Sequence, residues 1–449
     1  MTQHVVVGRL GPTGRPAVPT GPGAQLDLQL MSSGRLDYGI SDSTDELLRL
    51  GLQPTEVALD LVVLAAHVFA ADTRIPRTLS QDSWTREIRL IVPVSAPALW
   101  ENVEPVLARM LNFLTSDLWQ IEFRPRPQAR ARLVAQRTVR RRTAYEALSL
   151  FSGGLDSLIG AIDIAAAGTP TLLVSHAADG ATSKAQAELF TGLRRQYRTQ
   201  TLDRLRTWMV FPKGLGPGLE DTTRSRSFLF FALGVLAGSG FPPPFTLRAP
   251  ENGFIAINVP MDLLRLGALS TRTTHPFYIA RWNDLLDGLS IQGHVENPYW
   301  DRTKGEMASN CSDTTLLATL VAASMSCSAP TKHRWQGLPT MHCGYCLPCL
   351  IRRSSLEAAL GRSNDPTRYF LADLAGSPLS TRQTEGRQVR SLQVAIARAK
   401  ANPLAARAGV YRSGPLTDLS PGEIGRLQLV YHRGLMEVDA LLANVTTTP

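Results

Sequence analysis

Cysteine is scarce: the 449 residues hold five, and a chain of this length with ordinary apolar content buries its own core without disulfide staples. The opening MTQHVVVGRLGP lacks a basic stretch followed by an apolar core and cleavage site, so no secretory signal is expected. The most apolar window, Phe228 to Gly238, is too short to span a bilayer and reads as a buried helix. These absences predict cytoplasmic residence and no membrane partner. In that compartment cysteines read as thiols or metal ligands rather than disulfides. No low-complexity tract appears either, so two or three soluble domains are expected. The formal charge of +9 favours an acidic ligand such as a nucleotide, nucleic acid or acidic protein, without choosing among them.

What is present centres on residues 147–161, ALSLFSGGLDSLIGA. An apolar strand, Ala147 to Phe151, runs into Ser152-Gly153-Gly154-Leu155-Asp156-Ser157, and a helix over Leu158 to Ala167 follows at once. Adjacent glycines let the backbone approach an anion, the first helical N–H groups point at it, and the hydroxyls of Ser152 and Ser157 add donors. Such a turn binds phosphate. It lacks the lysine with which the G-x-x-x-x-G-K-[ST] loop holds phosphates, and Asp156 is the candidate Mg²⁺ contact instead. An acid in a glycine turn suits pyrophosphate plus Mg²⁺, the ion offsetting the carboxylate's repulsion. The competing account is an ordinary strand-to-helix turn.

Before this turn, residues 1–33 carry one short strand, Val5 to Val7, among Gly and Pro. Thr55 to Ala71 reads as a largely buried helix, Arg86 to Pro93 alternates like a strand, and a long helix is expected from Ala96 to Leu114. Residues 1–123 therefore predict an α+β domain without a chemical motif. Residues 124–145 begin as an arginine-rich run free of acids, read as a basic interdomain linker or an edge strand with a basic face. A solvated linker is one account; a phosphate-tracking strip for RNA or a dock for an acidic protein is the other. The interleaved aromatics of single-strand stacking are missing, which favours the linker.

After the turn, Thr171 to Ser175 is a second apolar strand and Ser183 to Tyr197 a helix, an order that winds helices on a parallel sheet with ligands outside its carboxyl edge. Ser175 and His176 then lie where adenine would bind, although His176 also reads as a partly buried loop histidine. A third strand covers Arg206 to Val210. Arg226 stands before the apolar helix at Phe228, beside a helix terminus that already favours anions, and is a candidate for ATP phosphate or a substrate carboxylate. Phe254 to Val259 reads as a further buried strand, with Glu251-Asn252-Gly253 near the sheet's rim. Lys304 and Glu306 open a capping-like turn ahead of a helix over Asp313 to Ala323. There a surface ion pair competes with a phosphate-contacting lysine supplied from outside the glycine turn.

Cys327, Cys343, Cys346 and Cys349 can surround one Zn²⁺ tetrahedrally, leaving no open position for water; the centre is therefore structural, with His342 or Cys311 as substitute ligands. An iron–sulfur cluster is the rival occupant of such a thiolate set. Beyond Gly361 the chain is mostly helical, and Ser420-Pro421-Gly422-Glu423 matches a capping box that launches a helix over Ile424 to Leu442.

The Ser-Gly-Gly-x-Asp-Ser turn resembles the pyrophosphate loop of N-type ATP pyrophosphatases. With Ser326-Cys327 and His342-Cys343-Gly344-x-Cys346-x-x-Cys349, residues 146–362 resemble the 7-cyano-7-deazaguanine synthase family, QueC. That resemblance implies a parallel, doubly wound α/β sheet of PP-loop (adenine nucleotide alpha hydrolase-like) type with a four-cysteine zinc segment; the helical extension over 363–449 lies outside it. Family enzymes adenylate 7-carboxy-7-deazaguanine, form an amide with ammonia, then activate it again and dehydrate it to the nitrile. Carried over, Ser152, Gly153, Gly154, Leu155, Asp156 and Ser157 bind ATP and Mg²⁺, and the four cysteines bind zinc. Thr303-Lys304-x-Glu306 is similar to a family turn, and Arg226 resembles an arginine that there precedes asparagine, where this chain has Ser227. The added terminal regions look like the QueC-like proteins of antiphage defence operons, the Qat and type IV CBASS kinds. They imply transfer of the activated acid to an amine on a partner protein. A synthase using ammonia, a tRNA-modifying PP-loop enzyme and a non-catalytic nucleotide-binding adaptor are the alternatives.

Overall fold

The structure, a computed structural model, describes residues 3–12, 15–18, 21–135, 144–222, 224–261 and 272–449. Every pairing between its named strands is parallel. Parallel neighbours cannot be joined by a tight hairpin and need a crossover, which helices supply between most successive strands. No helix among the described residues is long and apolar enough to cross a membrane.

The N-terminal strands are Gln3–Arg9 (β1), Gln25–Gln29 (β2), Glu87–Val94 (β3) and Leu118–Pro125 (β4), and they form a sheet in the order β2-β1-β3-β4. Ile40–Arg49 (α1), Glu56–Arg74 (α2), Pro97–Glu101 (α3) and Glu104–Thr115 (α4) connect them. Parallel pairing makes this region α/β and not the expected α+β: Val5 to Val7 sits in the sheet's interior, between β2 and β3. The helix expected over Ala96 to Leu114 is two helices. Pro105 lies at the start of α4, where its missing N–H cannot continue the ladder of α3. α2 begins as anticipated, with the Thr55 hydroxyl accepting from the Ala58 N–H at 3.3 Å.

The start of the arginine run is packed rather than solvated. Arg124 belongs to β4 and donates to the Gly8 carbonyl at 2.6 Å, while the guanidinium of Arg126, 1% exposed, pairs with Asp60 and Glu56 on α2. The reason is the buried acid: Asp60 would otherwise sit unpaired inside the fold. Residues 136–143, where the rest of the run falls, lie outside the described residues.

The second sheet contains Ala147–Leu150 (β5), Thr171–Ala177 (β6), Leu202–Trp208 (β7), Phe245–Arg248 (β8) and Gly293–Glu296 (β9) in the order β7-β6-β5-β8-β9. Its helices are Leu155–Ala166 (α5), Gly180–Gln196 (α6), Arg226–Gly238 (α7), Gly253–Ile257 (α8), Pro276–Gly288 (α9), Lys304–Ser309 (α10), Thr314–Leu320 (α11) and Leu347–Leu360 (α12). Alternation along the strands sends Leu148, Leu150, Leu172 and Val174 towards α7, and Leu173 and Leu202 towards α5 and α6, so both faces are covered. On its own numbering the sheet reads 3-2-1-4-5, with the strand order reversing between β5 and β8. Ligands of open parallel sheets bind at that crevice, outside the carboxyl ends of the strands.

The strand expected over Phe254 to Val259 is instead α8. Asn252 caps it, its side-chain oxygen accepting from the Ile255 N–H at 3.0 Å, and Asn258 ends it in the left-handed region at φ 37°. A short apolar run cannot be assigned by periodicity alone, and the place beside β5 is already filled by β8.

α2 packs on the N-terminal sheet and α7 on the second sheet, and the two helices pack on each other. One apolar core therefore runs through both sheets, and the boundary expected near residue 124 is not a break in packing. The C-terminal region adds Leu379–Ser380 (β10), Thr384–Ala401 (α13), Pro403–Ala408 (α14), Pro421–Leu442 (α15) and Thr447–Thr448 (β11). The capping box of Ser420 and Glu423 is formed, and α15 buries Leu427, Val430, Tyr431, Leu435, Val438 and Leu442 in a core shared with Phe254 of α8 and Leu350 of α12.

Candidate active site and metal centre

β5 ends in the glycine turn. Gly153 adopts φ 87°, a conformation costly for any residue with a Cβ, and a Cβ there would also press on Gln186 at 3.0 Å. Gly154 then starts α5 without a side-chain cap, so the first amides of the helix point out of the turn. The Ser152 and Ser157 hydroxyls are 3.2 Å apart, and Gln186 donates to the Ser152 carbonyl at 3.2 Å. The far side of the turn is tied to the segment before the first zinc-segment cysteine. The Met325 N–H donates to the Gly153 carbonyl at 2.8 Å, and the Leu155 N–H donates to Ser326 Oγ at 3.3 Å.

Above the turn lies a cleft of about 500 Å³ at the strand-order reversal. Ser152 and Ser157 line one side, Arg226, Ala249 and Glu251 another, and Ser326 to Ser328 a third. Arg226 opens α7 and donates to the His176 carbonyl at 3.3 Å, and burial lowers its pKa. The start of α7 is held from the N-terminal unit: Asp72 accepts from the Ser225 N–H and hydroxyl at 3.0 and 2.7 Å, and pairs with the fully buried Arg86 at 2.6 Å.

Asp156 does not line the cleft. Its carboxylate lies beneath the turn, where Lys304 Nζ donates to Oδ1 at 2.6 Å and the Asn252 side-chain and backbone N–H groups donate to Oδ2 at 2.8 and 3.2 Å. Lys304 and Asp156 are 8% and 11% exposed, so this is a buried pair and not the surface one considered for Lys304. The turn that carries Lys304 has the full capping box of Thr303 and Glu306. α15 clamps it. Glu437 accepts from the Thr303 hydroxyl and from the Gly305 N–H at 3.3 Å, and Arg433 is bidentate on Glu306 at 2.6 and 3.2 Å. No residue of the C-terminal region stands out in the sequence because these contacts join positions more than a hundred residues apart.

Ser175 and His176 are fully buried and turn away from the cleft. The Ser175 hydroxyl donates to the Phe151 carbonyl at 2.9 Å, and the His176 ring packs edge-on to Phe69 of α2, with burial pushing its pKa down to about 3. These two positions serve the core. Two acids do line the cleft: Asp179, whose carboxylate caps α6 through Thr182, and Glu251, which follows β8. Its backbone is held at both ends by Asn297, and its Oε2 accepts from the Thr274 hydroxyl. Burial pushes its pKa up to about 7, a shift opposed by Thr274 and reinforced by nearby Asp156.

Cys327, Cys343, Cys346 and Cys349 converge, all four sulfurs lying within 4.8 Å of one another. The 4.0 Å between the sulfurs of Cys327 and Cys346 and the 3.9 Å between those of Cys343 and Cys349 are close to the ~3.8 Å edge of a tetrahedron with Zn–S near 2.3 Å. Amides of Cys343 and Cys346 donate to sulfurs at 3.4 and 3.3 Å, favouring thiolate. The set fits a structural zinc, held by four protein ligands. Cys311 is buried elsewhere, among α5, α10 and α11, and His342 Nε2 is engaged by the Ser326 N–H at 3.2 Å, so neither joins it. That bond also links the cysteine centre to the glycine turn through Ser326. Comparison of the chain with family models, with curated proteins and with solved structures returns no match.

Proposed function

We propose that this chain uses ATP to adenylate a carboxylic acid, with release of pyrophosphate, and passes the acyl group to an amine. The observation that carries the reading is a glycine turn that opens a helix without an N-cap side chain, at the strand-order reversal of a parallel sheet and facing a cleft of nucleotide size. The amides of Asp156 and Ser157, with the hydroxyls of Ser152 and Ser157, hold phosphate oxygens; Arg226 meets phosphate or the acid's carboxylate from the opposite wall. Lys304 supplies from α10 the cation that the turn itself lacks, and Asp156 fixes its position. Asn252 takes both lone pairs of Asp156 Oδ2, and Oδ1 keeps one beyond the bond from Lys304; through that oxygen the carboxylate would hold a Mg²⁺ shared with the nucleotide, which would offset charge on the departing pyrophosphate.

Within this class, the resemblance of the glycine turn and cysteine segment to QueC-like proteins favours 7-carboxy-7-deazaguanine as the acid. The added terminal regions favour an amine on a partner protein of an antiphage defence system over ammonia. The buried pairing of Arg126 weakens the RNA-strip account of the arginine run, and with it the tRNA-modifying alternative.

The test is release of AMP and pyrophosphate from Mg-ATP with and without 7-carboxy-7-deazaguanine, in wild type and Asp156→Asn. Release that needs both the acid and Asp156 supports the reading. ATP binding without release under any condition would sink it in favour of the adaptor.

A further inference from the structure

Glu251 has no role in holding phosphate, yet its carboxylate is built into the wall of the cleft; both oxygens of the other lining acid, Asp179, are engaged by Thr182 at the start of α6. Glu251 occupies the first turn after β8, directly across the strand-order reversal from the glycine turn. Its main chain is pinned on both sides by Asn297 at 3.3 and 2.7 Å, and the Thr274 hydroxyl fixes Oε2. Among the described residues Oε1 has no hydrogen-bond partner, and it is not sealed from the cleft. The Thr274 bond already gives the carboxylate the partner its burial demands, and it leaves Oε1 turned to the cleft. A carboxylate facing a phosphate site would repel the nucleotide unless a cation came between them, and here Arg226 and the glycine turn already meet the anions. What remains for Glu251 is a positively charged reactant.

Resting on the adenylation reading above, we propose that Glu251 is the general base of the second half-reaction. It binds the incoming amine as an ammonium ion through Oε1 and takes one of its protons. The freed lone pair then attacks the acyl carbon. A C–N bond forms, the bond from the acyl carbon to the AMP oxygen breaks, AMP leaves with that electron pair, and the second nitrogen proton passes to solvent. The surrounding charges suit a base that works near neutrality. Asp156 beneath Glu251 raises its proton affinity and Lys304 lowers it, while Arg226 and Asp179 line the same cleft. The shared chemistry of the acceptor is a primary ammonium, from free ammonia or from a protein amine.

The experiment separates the half-reactions in the full-length protein. Exchange of labelled pyrophosphate into ATP in the presence of 7-carboxy-7-deazaguanine reads adenylation alone; amide formation with ammonium, glycinamide or hydroxylamine reads transfer. Glu251→Gln should lower amide formation from ammonium and glycinamide at least ~100-fold more than it lowers exchange. Hydroxylamine, largely neutral near pH 7, should be affected far less, and Glu251→Asp should restore part of the loss. The wild-type transfer rate should rise with pH through about 7 and Glu251→Gln should lose that limb. Thr274→Val, which leaves the carboxylate in place but unfixed, should fall between. Whichever of ammonium and glycinamide is the better acceptor identifies the source of the amine. Equal loss of exchange and transfer, or a raised KM for the acid with unchanged transfer, would overturn the assignment and make Glu251 an acid-binding residue. Absence of exchange in wild type would instead remove the adenylation reading, and the base with it.

Discussion

Lys304 Nζ lies 2.6 Å from Asp156 Oδ1, across 148 residues of chain and almost out of reach of water. The pair joins the start of α5 to the start of α10 directly under the glycine turn. Lys304→Met would leave the Asp156 carboxylate buried without its cation. Such a change costs about 3–5 kcal/mol, and pyrophosphate release should fall below detection. Combining it with Asp156→Leu should recover most of the stability in urea unfolding and none of the activity. Recovery of both would show that the pair serves the fold alone.

One zinc per chain is expected by elemental analysis. Cys346→Ala should abolish it and lower the melting temperature. Because Ser326 connects the cysteine centre to the glycine turn, chelation should also weaken ATP binding before global unfolding, read by nucleotide fluorescence at a temperature where circular dichroism is still native. A bound iron–sulfur chromophore would replace the zinc assignment.

The clamp from α15 gives a third expectation. Glu437 holds the Thr303 hydroxyl and the Gly305 amide, and burial raises its pKa. Glu437→Leu leaves that amide unsatisfied, at a cost of about 1–3 kcal/mol. The kcat for pyrophosphate release should drop with little change in KM for ATP, since the residue positions Lys304 and touches no substrate.

Acid lability follows from three buried imidazoles. Burial lowers His67 to about 4, and His176 and His275 to about 3, from an ordinary value of 6.5. Between those limits the unfolded chain binds protons that the folded chain refuses. Stability therefore rises with pH across the window and is lost as pH falls from about 6.5 towards 4. Melting temperatures recorded from pH 7 to 4.5 should decline, and His67→Gln should flatten part of the decline.

Features set by neighbours in the chain are legible in the sequence. The glycine turn, the helix expected from Thr55, the capping box of α15 and the close trio Cys343, Cys346 and Cys349 all depend on short-range pattern, and each forms. Features set by distant partners are not. Lys304 admits two accounts from sequence, and only its burial against Asp156 removes the surface one. His176 reads as a nucleotide contact because it ends a strand at the right edge, but the core side of that strand claims its ring. The strands β8 and β9 span four residues each, too short for alternation to register, and the stronger apolar run nearby draws the assignment instead. Sequence places Glu251 only at the rim; that its carboxylate faces the cleft depends on Thr274 and Asn297.

The clamp of Arg433 and Glu437 on the Lys304 turn also bears on when the protein becomes competent. Synthesis runs from the N-terminus, so the glycine turn, α10 and the four cysteines have all left the ribosome before α15 exists. Until that helix docks, the lysine is held only by its own capping box and by Asp156. A chain interrupted before α15 leaves the Gly305 amide and the Glu306 carboxylate without Glu437 and Arg433, and under the adenylation proposal it should release no pyrophosphate from ATP.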